Sequence, residues 1–293
     1  MGGREINKIL RHPGEFVMGL VFLMAACASI IAVILICVFM FGNGVPAMSR
    51  IGFLDFLTGT KWKPLNDIYG ILPMIVGSIY VTAGAVIVGV PVGLLCAAYM
   101  ARFCPPGLHR VLKPAIDLLA GIPSIVYGFF GLVVIVPLMQ DLFPGTSGKG
   151  VLTASVMLGI MILPTIISVS ESAIRAVPES YYEGALALGA THERSVFFTV
   201  IPAAKSGIMA GIILGVGRAI GETLAVSMIV GNQPVIPGSI TDGARTMTTN
   251  IVLEMGYASG LHREALIATA VVLFVFILII NLLFSIINDR RGR

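Results

Sequence analysis

Two groups of residues in this 293-residue chain have the types and spacing to do chemistry. The first is Gly217-Arg218-Ala219-Ile220-Gly221-Glu222-Thr223, an arginine and a glutamate set four apart inside an apolar stretch. On a continuous helix such residues share a face, so Arg218 and Glu222 are expected to pair. A guanidinium is planar, permanently charged and offers a fork of donors that suits phosphate oxygens. The chemistry implied is anion binding, with Glu222 holding Arg218 until the anion arrives and Thr223 next in line. The same pair also reads as an ion bridge that pins two helices. Gly215, Gly217 and Gly221 do not form a dinucleotide fingerprint, because the spacing is wrong and no strand precedes them. They are expected to permit close helix approach.

The second group is Glu183-Gly184-Ala185-Leu186-Ala187-Leu188-Gly189, followed after nine residues by Thr199-Val200-Ile201-Pro202. It predicts a short helix from Ser180 to about Leu188, stopped by Gly189 at positive φ, and then a second helical piece. Small residues at 184, 185 and 187 allow close docking against a partner surface.

Other chemistries lack their residues. Cys27, Cys37 and Cys96 lie in apolar runs and Cys104 just past one, so they read as small buried hydrophobes rather than a disulfide framework. The histidines 12, 109, 192 and 262 are scattered singly, and His192-Glu193 does not open a His-Glu-x-x-His helix because position 196 is Val. No metal or catalytic constellation is expected. Gly145-Thr146-Ser147-Gly148-Lys149-Gly150 fails as a Walker A loop, with Phe at 143 and Gly at 150. The chain itself is therefore not expected to hydrolyse ATP.

The elements that must position these residues lie in lipid. Hydrophobic residues make up 57% of the chain and charged ones only 12%, with a mean hydropathy of +0.97. A soluble domain carries about 25% charged residues, so a soluble enzyme is excluded, as is a disordered chain. The pI near 9.0 would suggest nucleic acid in a soluble protein, but here no nucleic-acid partner is expected and the placement of the cations matters instead.

Charge-free runs mark spans at Phe16–Phe41, Ile71–Met100, Leu118–Gln140, Gly150–Ser170 and Ala265–Asn288. A sixth, Ser206–Asn232, contains Arg218 and Glu222. Residues 1–15 and 289–293 are the termini, and 171–205 a long connection. Six spans place both termini on one side. That side receives Arg4, Lys8, Arg11, Arg102, Arg110, Lys113, Arg175, Arg194, Lys205, Arg290, Arg291 and Arg293, against six cations on the other. The excess of cations predicts that both termini and the 171–205 connection are cytoplasmic. The first run is too long for a signal-peptide core and reads as a retained helix. Pro73, Pro91, Pro123, Pro137 and Pro164 lie within spans and predict kinks.

The Glu183…Pro202 segment resembles the coupling loop of ABC-importer permeases, matching at Glu183, Ala185, Gly189 and Pro202, with Gly184 in place of the first Ala. Trp62–Pro73, Ile122–Gly128, Met161–Thr165, Gly217–Thr223 and Glu254–Arg263 extend the resemblance to the PstC family, membrane subunits of bacterial phosphate importers. The resemblance implies an all-α, six-span permease of the type I importer fold in the bacterial inner membrane. It also implies a transport subunit and not an enzyme. Residues 183–189 would be the helix that sits on an ATPase, and phosphate would pass Arg218, Glu222 and Thr223. No cofactor is expected in the chain: ATP and Mg would be bound by two partner ATP-binding subunits. A sister permease and an external phosphate-binding protein would complete the assembly. A permease for another oxyanion, molybdate or sulfate, and the sister phosphate permease PstA are the alternatives.

Overall fold

The computed structural model describes residues 13–290, which are helical almost throughout. The cations Arg4, Lys8, Arg11, Arg291 and Arg293, on which part of the charge asymmetry rests, lie outside those residues. Pro13–Ile51, Leu72–Ala98, Val151–Arg175 and Gly260–Arg290 are long apolar helices, and Ser124–Leu142 is a fifth built from three joined segments. His192–Ala203 and Lys205–Gly221, which meet at 71°, are together long and apolar enough to make a sixth if the bent pair is taken as one span. The molecule is an all-α membrane protein.

Val151–Arg175 is the central rod, packed between Leu72–Ala98 and Lys205–Gly221. Glycines set the closeness of both contacts. A Cβ at Gly93 would lie 2.9 Å from Ile166, and one at Gly215 would meet the same isoleucine at 2.9 Å from the other side. Lipid offers no hydrophobic drive for helix association, so backbone approach and dispersion must hold such a bundle. The first helix joins the bundle by a single seam, with Gly44 against Ala268 and Val271 of the last helix. Its remaining apolar surface faces outward, as a lipid-facing helix requires.

The helices differ from the charge-free runs in informative ways. The first continues past Phe41 to Ile51, through Gly42-Asn43-Gly44 and Pro46, and the last begins at Gly260, ahead of the Arg263 and Glu264 at which a charge-free window stops. Leu118–Gln140 is not one element. Residues up to Gly121 belong to an amphipathic helix, Pro106–Gly121, and the span starts at Ser124. Ile122, forced out of the α region by Pro123, is extended (ψ 126°) and breaks the two apart. Ser206–Asn232 is likewise broken: Lys205–Gly221 ends, Glu222 is extended (ψ 133°), and a short helix, Leu224–Ile229, follows. A two-stranded hairpin, Trp62–Lys63 with Ile68–Tyr69, and a helix, Met247–Met255, cover the end of the bundle that carries the 71 and 260 helix starts.

Three π-turns share one cause. They occupy Tyr99–Phe103, Gly131–Ile135 and Val196–Val200. Each closes on the N–H of the residue immediately before a proline: Cys104 before Pro105, Val136 before Pro137, Ile201 before Pro202. A proline ring collides with the carbonyl four residues back. One extra residue in the turn moves that carbonyl aside, which is what an i→i−5 bond provides.

Candidate functional site

Arg218 lies in the last turn of Lys205–Gly221 and is half-buried. Its Nη1 donates to Thr165 Oγ1 on the central rod, a long bond of 3.4 Å. It does not pair with Glu222. Because the helix stops at Gly221, the four-residue spacing no longer places the two on one face. No salt bridge among the described residues involves Arg218. Glu222 instead caps the next piece, its Oε1 accepting the Ala225 N–H at 3.1 Å, while its carbonyl accepts Thr248 Oγ1 at 3.0 Å. A carboxylate at a helix start is favourably placed. Thr223 Oγ1 donates to the Gly221 carbonyl across the break.

The glycines around Arg218 split into two sets. Gly211 and Gly215 pack against the central rod, as close helix approach requires, whereas Gly217 and Gly221 have nothing within 4 Å of a built Cβ. Arg218 therefore stands on an open helix face flanked by residues without side chains. The arrangement can bind an anion: a guanidinium with no counter-ion among the described residues, room in front of it, and a hydroxyl beside it.

The Glu183–Gly189 segment forms the helix Glu179–Ala187 and the turn that ends it. Gly189 takes φ +85°, its N–H donates to the Leu186 carbonyl at 2.8 Å, and the Ala190 N–H donates to the Ala185 carbonyl at 3.1 Å. That pair of bonds is a Schellman stop. Glu183, Gly184 and Leu188 are exposed, Ala185 is half-buried, and Pro202 is exposed in the second piece. The two clusters, Glu183–Gly189 and Arg218–Thr223, are not brought together; the bent helix connects them.

What anchors the Glu179–Ala187 helix was not visible from spacing. Arg102 donates to Glu179 Oε2 at 2.8 Å and its guanidinium lies over the Tyr182 ring. Tyr182 Oη meets His192 Nδ1 at 2.7 Å, and His192 packs edge-on against Phe103. The Glu179–Ala187 helix is thereby fixed to the π-turn that ends the second long helix. Nearby, the buried Glu171 accepts Arg175 Nε at 2.9 Å and meets His109 Nε2 at 2.6 Å, while Arg175 Nη2 donates to the Met100 carbonyl. Arg102 and Glu179, His109 and Glu171, and Met100 and Arg175 are 62 to 77 residues apart in sequence, so only the fold brings them into register.

At the opposite end Glu254 ties three segments. Its Oε2 accepts Trp62 Nε1 and meets His262 Nε2, both at 2.8 Å, and its Oε1 accepts Arg245 Nη1 at 2.6 Å. Beside it Tyr69 donates to Asp67, and burial first, then that bond, push its phenol up to about 12. Tyr69 thus stays neutral and a donor.

Residues 89–293 match the family described as "Binding-protein-dependent transport system inner membrane component". The chain is 37% identical over 277 residues to the probable ABC transporter permease protein YqgH of Bacillus subtilis (strain 168), covering 92% of this chain and 90% of that one. It is 35% identical over 277 residues to the phosphate transport system permease protein PstC of Mesorhizobium japonicum, with 87% and 84% covered. Among solved structures, a bacterial ABC transporter involved in the import of the acidic polysaccharide alginate superposes with a TM-score of 0.65 at 16% identity, over 99% of this chain and 100% of that one. At that identity the likeness speaks to the fold alone.

Proposed function

The chain belongs to the binding-protein-dependent transport system inner membrane component family, and from that membership we propose that it is the phosphate-translocating permease subunit of an ATP-driven importer. One observation carries the substrate: a guanidinium on an open helix face with no carboxylate partner among the described residues, in a chain 35% identical to a phosphate permease over most of its length. A fixed positive charge offsets part of the cost of taking a phosphate anion out of water, where an uncompensated charge in lipid costs several kcal/mol. Thr165 and Thr223 supply hydroxyls along the same route. Glu222 acts differently from its sequence expectation: it holds the break in the helix rather than Arg218.

The work comes from partners. Two ATP-binding subunits hold ATP and Mg, and one seats the Glu183–Gly189 helix. A sister permease closes the open face, and an external binding protein delivers phosphate. Movement of the coupling helix reaches the span beyond it through the Arg102–Glu179 bridge and the 71° bend. The reading is tested by reconstituting the chain with its sister permease, ATPase and binding protein in vesicles. ATP-dependent phosphate uptake, insensitive to excess sulfate or molybdate, is expected. ATPase stimulation by a binding protein loaded with sulfate or molybdate, and not with phosphate, would overturn it.

The cation asymmetry sets the proposed sidedness, with the coupling helix in the cytoplasm. Ser180 and Ser239 are both exposed. In a variant lacking the four native cysteines, Ser239→Cys is expected to react with an impermeant thiol reagent on intact cells and Ser180→Cys only after lysis. Labelling of position 180 from outside would reverse the topology.

A further inference from the structure

The polar contacts on the central rod do not stop at Thr165. Ser168 and Ser172 follow it three and seven residues on, so all three lie on one face of Val151–Arg175. Thr165 meets Arg218, and Ser168, about 4.5 Å further along the helix, meets Lys113 of the amphipathic helix. The Lys113 ammonium donates to Ser168 Oγ at 3.0 Å and lies 3.5 Å from Asp117 Oδ1 and 3.4 Å from Glu171 Oε2. Ser168 Oγ in turn donates to Asp117 at 3.3 Å.

Each of these contacts is at or beyond the usual N–H···O or O–H···O length. The lysine side chain keeps 29% of its exposure and the Asp117 side chain 55%. Lys113 is thus a cation held by long, exchangeable contacts, and its most exposed partner is a carboxylate that can return to water at little cost. The cation at the other end of the molecule differs on each count. Arg245 is 14% exposed, bonds Glu254 at 2.6 Å and Asn250 and the Asn232 carbonyl at 3.0 Å each, and is committed to the fold.

We propose that Lys113 and Ser168 form a second oxyanion station, one step beyond Arg218 toward the coupling-helix side, at which phosphate displaces the Asp117 carboxylate. It rests on the permease reading above. Passage through a membrane requires sites that bind well enough to enter and loosely enough to leave. Arg218, without a carboxylate, takes the anion up. Lys113, with Asp117 competing, lets it go.

A station on the exit side is also filled from that side, which gives a readout that a bracing role would not move. In vesicles of the assembled importer, phosphate added on the ATP side should slow ATP-driven transport. Lys113→Gln should raise the phosphate concentration needed for half-inhibition about tenfold, the loss of one charge-assisted contact, and Lys113→Arg should keep the wild-type value. Asp117→Asn, which leaves Lys113 in place, should lower that concentration by removing the competitor. Sensitivity unchanged in Lys113→Gln overturns the station. So does unchanged or weakened inhibition in Asp117→Asn, a result that stands even if Lys113→Gln fails to assemble. Full recovery of transport in Lys113→Gln/Glu171→Gln would make Lys113 a brace for the buried Glu171 and would also overturn it. Failure of the permease reading looks different: the wild-type assembly would not move phosphate at all.

Discussion

Replacing Arg218 with glutamine lowers phosphate uptake about a hundredfold, the upper range for a hydrogen bond to a charged group, while the subunit remains in the membrane at normal abundance. The second half of that expectation follows from the structure. Among the described residues Arg218 has no carboxylate partner, so its removal leaves no buried counter-charge exposed there, and glutamine can still donate to Thr165. A bracing arginine would behave otherwise, since breaking a buried ion pair costs about 3–5 kcal/mol. Arg218→Lys keeps the charge but loses the planar fork, and about a tenfold loss is expected for that one contact.

Glu222 gives the complementary check. Were the two residues a pair, neutralising both would restore what neutralising one had lost. Glu222 caps Leu224–Ile229 through Ala225 instead, so the effects of Arg218→Gln and Glu222→Gln should add, with a coupling below about 0.5 kcal/mol. Uptake and membrane abundance measured together for the single and double variants decide it. Uptake recovered in the double variant would remove Arg218 from the substrate path.

Gly189→Val is the second large effect. Position 189 sits at φ +85° with nothing within 4 Å of a built Cβ, so the cost of a side chain there is conformational and not a clash. For a β-branched residue in the left-handed region that cost is about 1–3 kcal/mol. The Schellman bonds at Leu186 and Ala185 then compete with a re-aimed turn, and the coupling helix loses its fixed end. Transport is expected to fall roughly five- to a hundredfold, with the subunit inserted and the ATPase either poorly bound or hydrolysing without transport. Gly189→Asn, which tolerates the left-handed region, should retain most of the activity. Equal activity in the valine and asparagine variants would show that the positive φ is not what matters.

Much of the bundle is legible in residue types because lipid leaves so few alternatives: a run of about 20 apolar residues has to be a helix. The Gly189 stop was equally readable, since a glycine after small helix-forming residues has one common use. The breaks were harder. Reading Arg218 and Glu222 as a pair assumed an unbroken helix, although Gly221 followed by Thr223, a capping type, signals an end and a restart. The helix Pro106–Gly121 also left a trace, in Leu108, Val111, Leu112, Ile116 and Leu119 recurring on one helical face, but a search for charge-free windows passes over a stretch that holds Arg110, Lys113 and Asp117. The Arg102–Glu179, Glu171–His109 and Glu254–Trp62 contacts left none, because a pair distant in sequence has no period to show.

The π-turn at Val196–Val200 has a mechanical meaning. It is one surplus residue wound into a helix whose other residues each take about 100° and 1.5 Å. A surplus that slides along a helix rotates every residue it passes by that angle while the two ends keep their separation. Pro202 stops such sliding in the direction of Arg218, because it is the proline that demands the wider turn. The slack is therefore available only toward His192 and the coupling helix. A push delivered there is taken up as torsion within 192–200, and the rod beyond the bend, Lys205–Gly221, responds by tilting as one body.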